Sequence, residues 1–401
     1  MSVRVITPRN RGFLFLDSHP AGCAELVEDM WNSVPAAVGT ARQPVALVIG
    51  CTAGYGLAAT IAGLARHGIR GIGLGFERAP DRRTGTAGWY RAAAVDRLAR
   101  AHGREFVFLN GDGFSDAVKD QVAEIVRDRF DGRIDYLVYS VAAPRRTDPD
   151  TGAAYASVLK PIGRPHQTKT LVFDEDGTPR VTTIETQPAE DEEIAQTVKV
   201  MGGDDWRRWI ERLDAGKLLA DGFTTVALSY IGSPLTAALY REGTIGVAKQ
   251  HLEHTARELN AFLTELVSGR ALTSVNGAAV TQSSTAIPGI ALYISLLRSI
   301  LGEGTGLVSP VAQLTSLWDQ LTGLEPLALD DQHRVRLDTW ELDPEVQAAI
   351  AERWQEATTD NISDLADLAW FRDQVHQLYG FAVPGIDYAA PVETDEPWPA
   401  G

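Results

Sequence analysis

Apolar positions in this chain fall into two alternating patterns, short continuous runs and longer stretches of helical period. Pro44-Val45-Ala46-Leu47-Val48-Ile49 is apolar throughout and rich in β-branched residues, which predicts a strand buried on both faces, as in a parallel sheet. A glycine-rich turn follows, then residues 57–67 show helical spacing until Gly68 stops them. Residues 69–76 predict a second strand that ends at Glu77. Residues 78–88 read as a loop, 89–101 as a helix, and 105–109 as a third strand ending at Asn110-Gly111-Asp112. Ser115 suits a helix cap with Asp116 in the first turn, which predicts a helix to Phe130 and then a fourth strand over 134–141. This order predicts an α/β fold, a doubly wound Rossmann-type parallel sheet.

Beyond 141 the pattern loosens. Residues 142–201 are rich in Pro, Thr and acidic side chains, with short β-like pieces such as Thr170-Leu171-Val172-Phe173, and are expected to be an insertion, forming a substrate lid or a small hairpin beside the cofactor cleft. Helices are predicted over 202–213, 243–266, 287–301 and 344–354, and strands over 223–230 and 275–281. The expected organisation is one enlarged Rossmann domain, with a cofactor-binding core over about 44–282, a C-terminal helical part over about 283–388, and a flexible Pro-rich acidic tail over 389–401.

Composition narrows the function classes. A formal charge of −16 disfavours a protein that coats nucleic acid or an anionic membrane, although a local basic pocket drawing on Arg145, Arg146, Lys160 and Lys169 could still take an anionic small ligand. Cys23 and Cys51, the two cysteines, are too few for a disulfide scaffold or a tetrathiolate zinc site. The first twenty residues lack a continuous apolar core, and the most apolar later stretch, 287–297, falls short of the roughly 20 residues a membrane span needs. A cytoplasmic protein is expected. The eight histidines form no metal-ligand pattern, His251 and His254 share a face best read as solvated, and no G-x-S-x-G elbow is present. Trp206 and Trp209 read as core anchors.

The turn Gly50-Cys51-Thr52-Ala53-Gly54-Tyr55-Gly56, between strand and helix, has the G-x-x-x-G-x-G spacing of short-chain dehydrogenases. Glycines let the backbone turn sharply and approach a pyrophosphate, whose charge meets amide groups at the helix start; they also close ordinary turns. Phe76-Glu77 ends the second strand, where a carboxylate accepts from adenosine ribose hydroxyls and repels a 2'-phosphate, pointing to NADH. Arg78, Arg82 and Arg83 nearby offer the opposite preference, and Glu77 also reads as a solvated loop carboxylate. Asp112, beside Gly113, is placed either to bond an adenine amino group or to form a turn. Val141-Ala142 ends the fourth strand with small residues suited to the nicotinamide-side ribose.

Tyr240 and Lys249 are the candidate catalytic pair, because an ammonium beside a tyrosine favours proton donation and can hold ribose hydroxyls. Nine residues apart on one helix, they would point in opposite directions. A helix starting near Thr244 leaves Tyr240 on a preceding loop that can fold back; a core tyrosine with a surface lysine is the other reading.

Several blocks resemble one family. Arg11-Gly12-Phe13, His19-Pro20-Ala21-Gly22-Cys23, Gly85-Thr86-Ala87-Gly88-Trp89-Tyr90, Ala143-Pro144-Arg145-Arg146, Leu159-Lys160-Pro161-Ile162-Gly163, Met201-Gly202-Gly203-Asp204-Asp205-Trp206, Ser229-Tyr230-Ile231-Gly232, Val280-Thr281-Gln282, Asp338-Thr339-Trp340-Glu341-Leu342 and Gly380-Phe381 are similar to those of the trans-2-enoyl-CoA reductases and the FabV type of enoyl-acyl-carrier-protein reductase. The resemblance implies an enlarged short-chain dehydrogenase, usually monomeric, that uses NADH to saturate the double bond of an enoyl-CoA or enoyl-acyl-carrier-protein substrate. Its Y-x8-K spacing matches Tyr240 and Lys249, a second tyrosine that contacts the thioester matches Tyr230, and Ala279-Val280-Thr281 would touch the cofactor on its nicotinamide side. No metal is implied. Two departures stand out: Cys51 and Ala53 replace Ala and Thr in the turn, and Ala237-Ala238-Leu239 replaces Trp-Pro-Ile before Tyr240.

Overall fold

The computed structural model describes residues 3–39, 42–174, 176–302 and 306–399. Short strands β1 (Val3–Arg4), β2 (Asn10–Arg11) and β3 (Leu14–Phe15) and helix α1 (Pro20–Ser33) precede the first long strand, β4 (Val45–Ile49). Then come α2 (Gly54–His67), β5 (Arg70–Gly75), α3 (Ala87–Ala101), β6 (Phe106–Asn110), α4 (Asp116–Arg129) and β7 (Ile134–Tyr139). The segment 142–201 folds as hairpins β8 (Arg145–Thr147) with β9 (Ala154–Ala156) and β10 (His166–Phe173) with β11 (Pro179–Thr186), followed by α5 (Asp191–Met201). The chain continues through α6 (Asp204–Ala215), β12 (Leu219–Ser229), α7 (Thr244–Val267), β13 (Arg270–Val275), α8 (Ile290–Leu301), α9 (Pro310–Leu321) and β14 (Arg334–Arg336). It ends with α10 (Pro344–Glu356), α11 (Ile362–Leu365), α12 (Leu368–Gln377) and β15 (Val392–Glu393).

Seven strands form a parallel sheet in the order β14-β13-β12-β7-β4-β5-β6. The order reverses between β4 and β7, so the crevice at their C-terminal ends is the natural ligand site. Alternation along β4 explains the layers. Val45, Leu47 and Ile49 face Val122, Trp209 and Leu259 of α4, α6 and α7, whereas Ala46 and Val48 face Ala58, Ile61 and Trp318 of α2 and α9. Each Val, Leu or Ile among them, fully buried, contributes about 1.5–3 kcal/mol. A third cluster joins α8, α10 and α12 to the long hairpin through Leu171, Leu292, Ile350 and Phe371.

The doubly wound sheet is as expected, and four local expectations are corrected. The strand expected over 275–281 is instead β13, Arg270–Val275. The chain leaves the sheet at Asn276, whose amide donates to the Ser229 carbonyl, and the apolar run that imitated a strand is a loop with Gly277 pressed on Trp340. Helix α2 starts at Gly54 rather than 57. The strand expected over 223–230 stops at Ser229, leaving Tyr230 on the turn beyond it. The described part of the acidic tail is held: β15 pairs with β1, Trp398 donates to the Phe108 carbonyl at 2.8 Å, and Trp89 donates to the Glu396 carbonyl at 2.7 Å. Residues 400 and 401 lie outside the described residues.

Candidate active site

Gly50, at φ +86°, turns the chain at the end of β4; a Cβ there would lie 2.1 Å from the Ser140 carbonyl oxygen. At Gly56 a Cβ would lie 2.0 Å from the Gly50 carbonyl oxygen. The two glycines let three backbone segments meet, which no larger residue permits. Ala53 at the α2 N-cap makes no side-chain cap, so the first amides of this helix lack the usual hydroxyl or carboxylate acceptor. Amides presented this way fit a pyrophosphate. Cys51 points away from the turn, with its buried Sγ against Gly73, so only its backbone lines the site.

Glu77 is not a loose loop carboxylate. Thr52 and Thr86 hydroxyls donate to its two oxygens, and Asn110 brackets its backbone, accepting from the amide at 2.7 Å and donating to the carbonyl at 2.9 Å. The carboxylate is thereby fixed beside the turn with acceptor lone pairs to spare. Phe76 is 78% exposed. Asp112 acts locally as a turn former, accepting from the Phe114 amide at 3.0 Å, while Gly113 has its carbonyl held by Lys119 and Trp209. Val141 is half-buried and Ala142 exposed just past β7, beside the glycine turn.

The loop after β13 closes over the turn. Thr281 lies 3.5 Å from where a Gly54 Cβ would be, and the Tyr55 hydroxyl donates to the Gly277 carbonyl. Ala279 is buried and Val280 half-buried in that loop.

Helix α7 starts at Thr244, and Tyr240 lies on the turn before it, bonded back to Thr236 through its amide at 3.0 Å. Lys249, within α7, is 6% exposed, and among the described residues its Nζ makes no hydrogen bond. Burial lowers its pKa to about 8, with Glu253 opposing the shift. Burial raises the Tyr240 pKa, keeping the phenol protonated at neutral pH. Tyr230 meets Tyr240 edge-on, ring centroids 5.1 Å apart, and its hydroxyl donates to Glu341 at 2.8 Å.

The sequence reading missed the partners behind these tyrosines. Buried Glu341 and Tyr293 form a polar group with half-buried Gln347, which donates to the Tyr293 hydroxyl at 3.0 Å. Glu341 stood in a marker block without a role, and the charged residues Asp338 and Asp343 beside it gave no local signal that set it apart. The four proposed pocket cations do not converge. Lys169 caps three carbonyls at the end of α10 and Lys160 pairs with Glu193. Arg146 is buried over Phe114, donating to the Lys199 carbonyl, and Arg145 is exposed. The insertion instead clamps the start of α7, the Thr244 amide donating to the Lys160 carbonyl at 3.1 Å. Among the described residues, no three His, Cys, Asp or Glu side chains are grouped to hold a metal.

Three family models cover the chain: the NAD(P)H binding domain of trans-2-enoyl-CoA reductase over residues 5–82, the trans-2-enoyl-CoA reductase catalytic region over 83–322, and an enoyl reductase FAD binding domain over 329–392. An NADH enoyl-acyl-carrier-protein reductase from Streptomyces avermitilis is 56% identical over 98% of this chain and 99% of its own. A Burkholderia pseudomallei protein of the same name is 44% identical, with 97% of each covered. The crystal structure of Treponema denticola trans-2-enoyl-CoA reductase in complex with NAD superposes with a TM-score of 0.89 at 40% identity, covering 97% of this chain and 98% of that one. The Clostridium acetobutulicum enzyme in complex with NADH gives 0.91 at 35% identity, with 98% of each covered. Matched along almost its whole length by the family's models and by full-length relatives, this chain belongs to the trans-2-enoyl-CoA reductase family.

Proposed function

We infer that this protein uses NADH to reduce the α,β double bond of trans-2-enoyl thioesters, carried on CoA or acyl-carrier protein, to saturated acyl thioesters. The observation that carries the reading is the placement of Tyr240, its hydroxyl without a hydrogen bond among the described residues, edge-on to Tyr230 before the helix that buries Lys249. The relatives' names and bound cofactors support it.

The residues present fit NADH. Gly50, Gly54, Gly56 and the first amides of α2 would hold the pyrophosphate, Glu77 the adenosine ribose, and Lys249 the nicotinamide-side ribose. When bound, this cofactor supplies a hydride to the β carbon. As charge grows on the thioester oxygen, the Tyr240 hydroxyl stabilises it and then supplies the proton. Lys249, an ammonium below about pH 8, supplies donors for the hydroxyls of the nicotinamide-side ribose. The 277–281 loop lies against the glycine turn, held there by the Tyr55 hydroxyl.

Residues 329–392 do not fit a flavin. Their buried polar groups are engaged within the protein, Arg334 by Asp330 and Glu253, Asp338 by Arg336, and Glu341 by two phenols and an amide. Gly380 is packed against His19 and Cys23 rather than offered to a phosphate.

The free thiols Cys23 and Cys51 and the use of NADH fit a cytoplasmic enzyme, and no helix of the described residues is long and apolar enough to cross a membrane. The enzyme is read as a monomer by its likeness to the family. The test is loss of NADH absorbance on adding crotonyl-CoA or a longer enoyl-CoA. Dependence on both reactants is expected, and binding of NADH without turnover across a broad enoyl panel would overturn the reading.

A further inference from the structure

Glu341 is wholly buried where several segments meet. Its Oε1 accepts from the hydroxyls of Tyr230, on the turn after β12, and Tyr293, on α8, each at 2.8 Å. Its Oε2 accepts the amide of Ala278, in the loop over the glycine turn, at 2.6 Å. A phenol has a single hydrogen. While Tyr230 directs it at Glu341, only lone pairs of that hydroxyl remain for the substrate, and Tyr230 cannot donate to a thioester oxygen. Tyr240 is then the sole phenolic donor of the pair.

Building on the enoyl-reductase reading, we propose that Glu341 is a positioning residue whose protonation state sets the direction of the Tyr230 hydroxyl. The ionised carboxylate holds the Tyr230 hydrogen back. The carboxylic acid donates its own proton to the Tyr230 oxygen, and the Tyr230 hydrogen turns toward the developing enolate as a second donor beside Tyr240. No O–H bond of Tyr230 breaks; the hydroxyl rotates. Tyr293 is less free to respond, since its oxygen already accepts from Gln347.

Burial pushes Glu341 up to about 7, against the pull of its three donors. The groups facing it are the phenols of Tyr230, Tyr293 and Tyr55, all with pKa values raised by burial and so neutral, and Asp338, which pushes it further up while paired with Arg336. The switch therefore operates near neutral pH, with the double-donor state on the acid side.

The test is the pH profile of kcat with NADH and crotonyl-CoA for the unaltered enzyme, Glu341→Gln, Tyr230→Phe and Tyr293→Phe. In Glu341→Gln the amide oxygen takes the Ala278 N–H and the NH2 group faces the two phenols, so Tyr230 is released at every pH. The unaltered enzyme is expected to lose at least about tenfold in kcat as pH rises through 7, the scale of one oxyanion donor acting beside another. Glu341→Gln is expected to lack this step and stay at the high plateau; Tyr230→Phe is expected to lack it and stay at the low one. Tyr293→Phe, which removes a donor to the carboxylate, is expected to keep the step at higher pH. The loss near pH 8 from Lys249 stays common to all four. A step near 7 retained by Glu341→Gln or Tyr230→Phe, or absent from the unaltered enzyme, overturns the proposal. If Glu341→Gln does not fold, the two tyrosine variants decide it. Absence of all turnover in the unaltered enzyme would instead remove the reduction itself.

Discussion

At the residue scale, the glycine turn and Glu77 were legible because their geometry is local: a spacing between strand and helix, and an acid at a strand end. Ala in place of Gly50 would set a methyl 2.1 Å from a carbonyl oxygen in a backbone region hostile to side chains. Gly50→Ala is expected to abolish tight NADH binding and to lower stability by at least about 2 kcal/mol, read by fluorescence titration and chemical denaturation. Glu77→Ala frees the Thr52 and Thr86 hydroxyls and removes the ribose acceptor, so NADH affinity should fall about tenfold while the preference over NADPH narrows. Tyr240→Phe is expected to lower kcat by about 10²–10⁴ with little change in NADH affinity, and full turnover in that variant would remove Tyr240 as proton donor. Lysine loses its charge as pH rises, so the Lys249 contribution should disappear through about pH 8. Glu341 was not legible, because its partner Tyr230 stands 111 residues away and only the fold brings them together.

At the element scale, the repeated strand and helix periods gave the doubly wound sheet, and the β-like pieces of 142–201 marked an insertion that folds as hairpins, whereas the sheet's edge strand escaped. Strand β14, three residues long, has too little pattern to announce itself, and the 277–281 run is apolar for loop packing rather than for a ladder. Helix α9 did carry a signal, Ser309 before Pro310 at its start, with the Ser309 hydroxyl accepting from the Ala312 amide. The separation of Tyr240 from Lys249, ambiguous on a continuous helix, is explained by Gly243 as the α7 cap. One buried pair ties two elements to the cofactor end of the sheet: Lys119 of α4 meets Asp205 of α6 at 2.8 Å and also donates to the Gly113 and Phe114 carbonyls. Lys119→Met leaves Asp205 as an uncompensated buried charge, and a loss of about 3–5 kcal/mol is expected by denaturation, with weaker NADH binding as the 111–114 loop loosens.

At the scale of the whole molecule, the chain's two ends meet. The acidic tail reads as frayed from composition alone, yet Trp398 packs against Trp89 and the Tyr90 hydroxyl donates to the Thr394 carbonyl at 2.9 Å. Distant aromatic partners decide such a segment, and local polarity does not show them. Trp398→Ala should lower stability by about 2 kcal/mol with kcat unchanged, since the tail packs on α3 and β6 rather than on Tyr230 or Tyr240. The most direct test of the activity as a whole is mass analysis of the product formed from NADH and trans-2-enoyl-CoA. One saturated acyl-CoA, two hydrogens heavier than its substrate, is expected for each NADH consumed; a product retaining oxygen at the reduced carbon, as from a ketone-reducing enzyme, would contradict it.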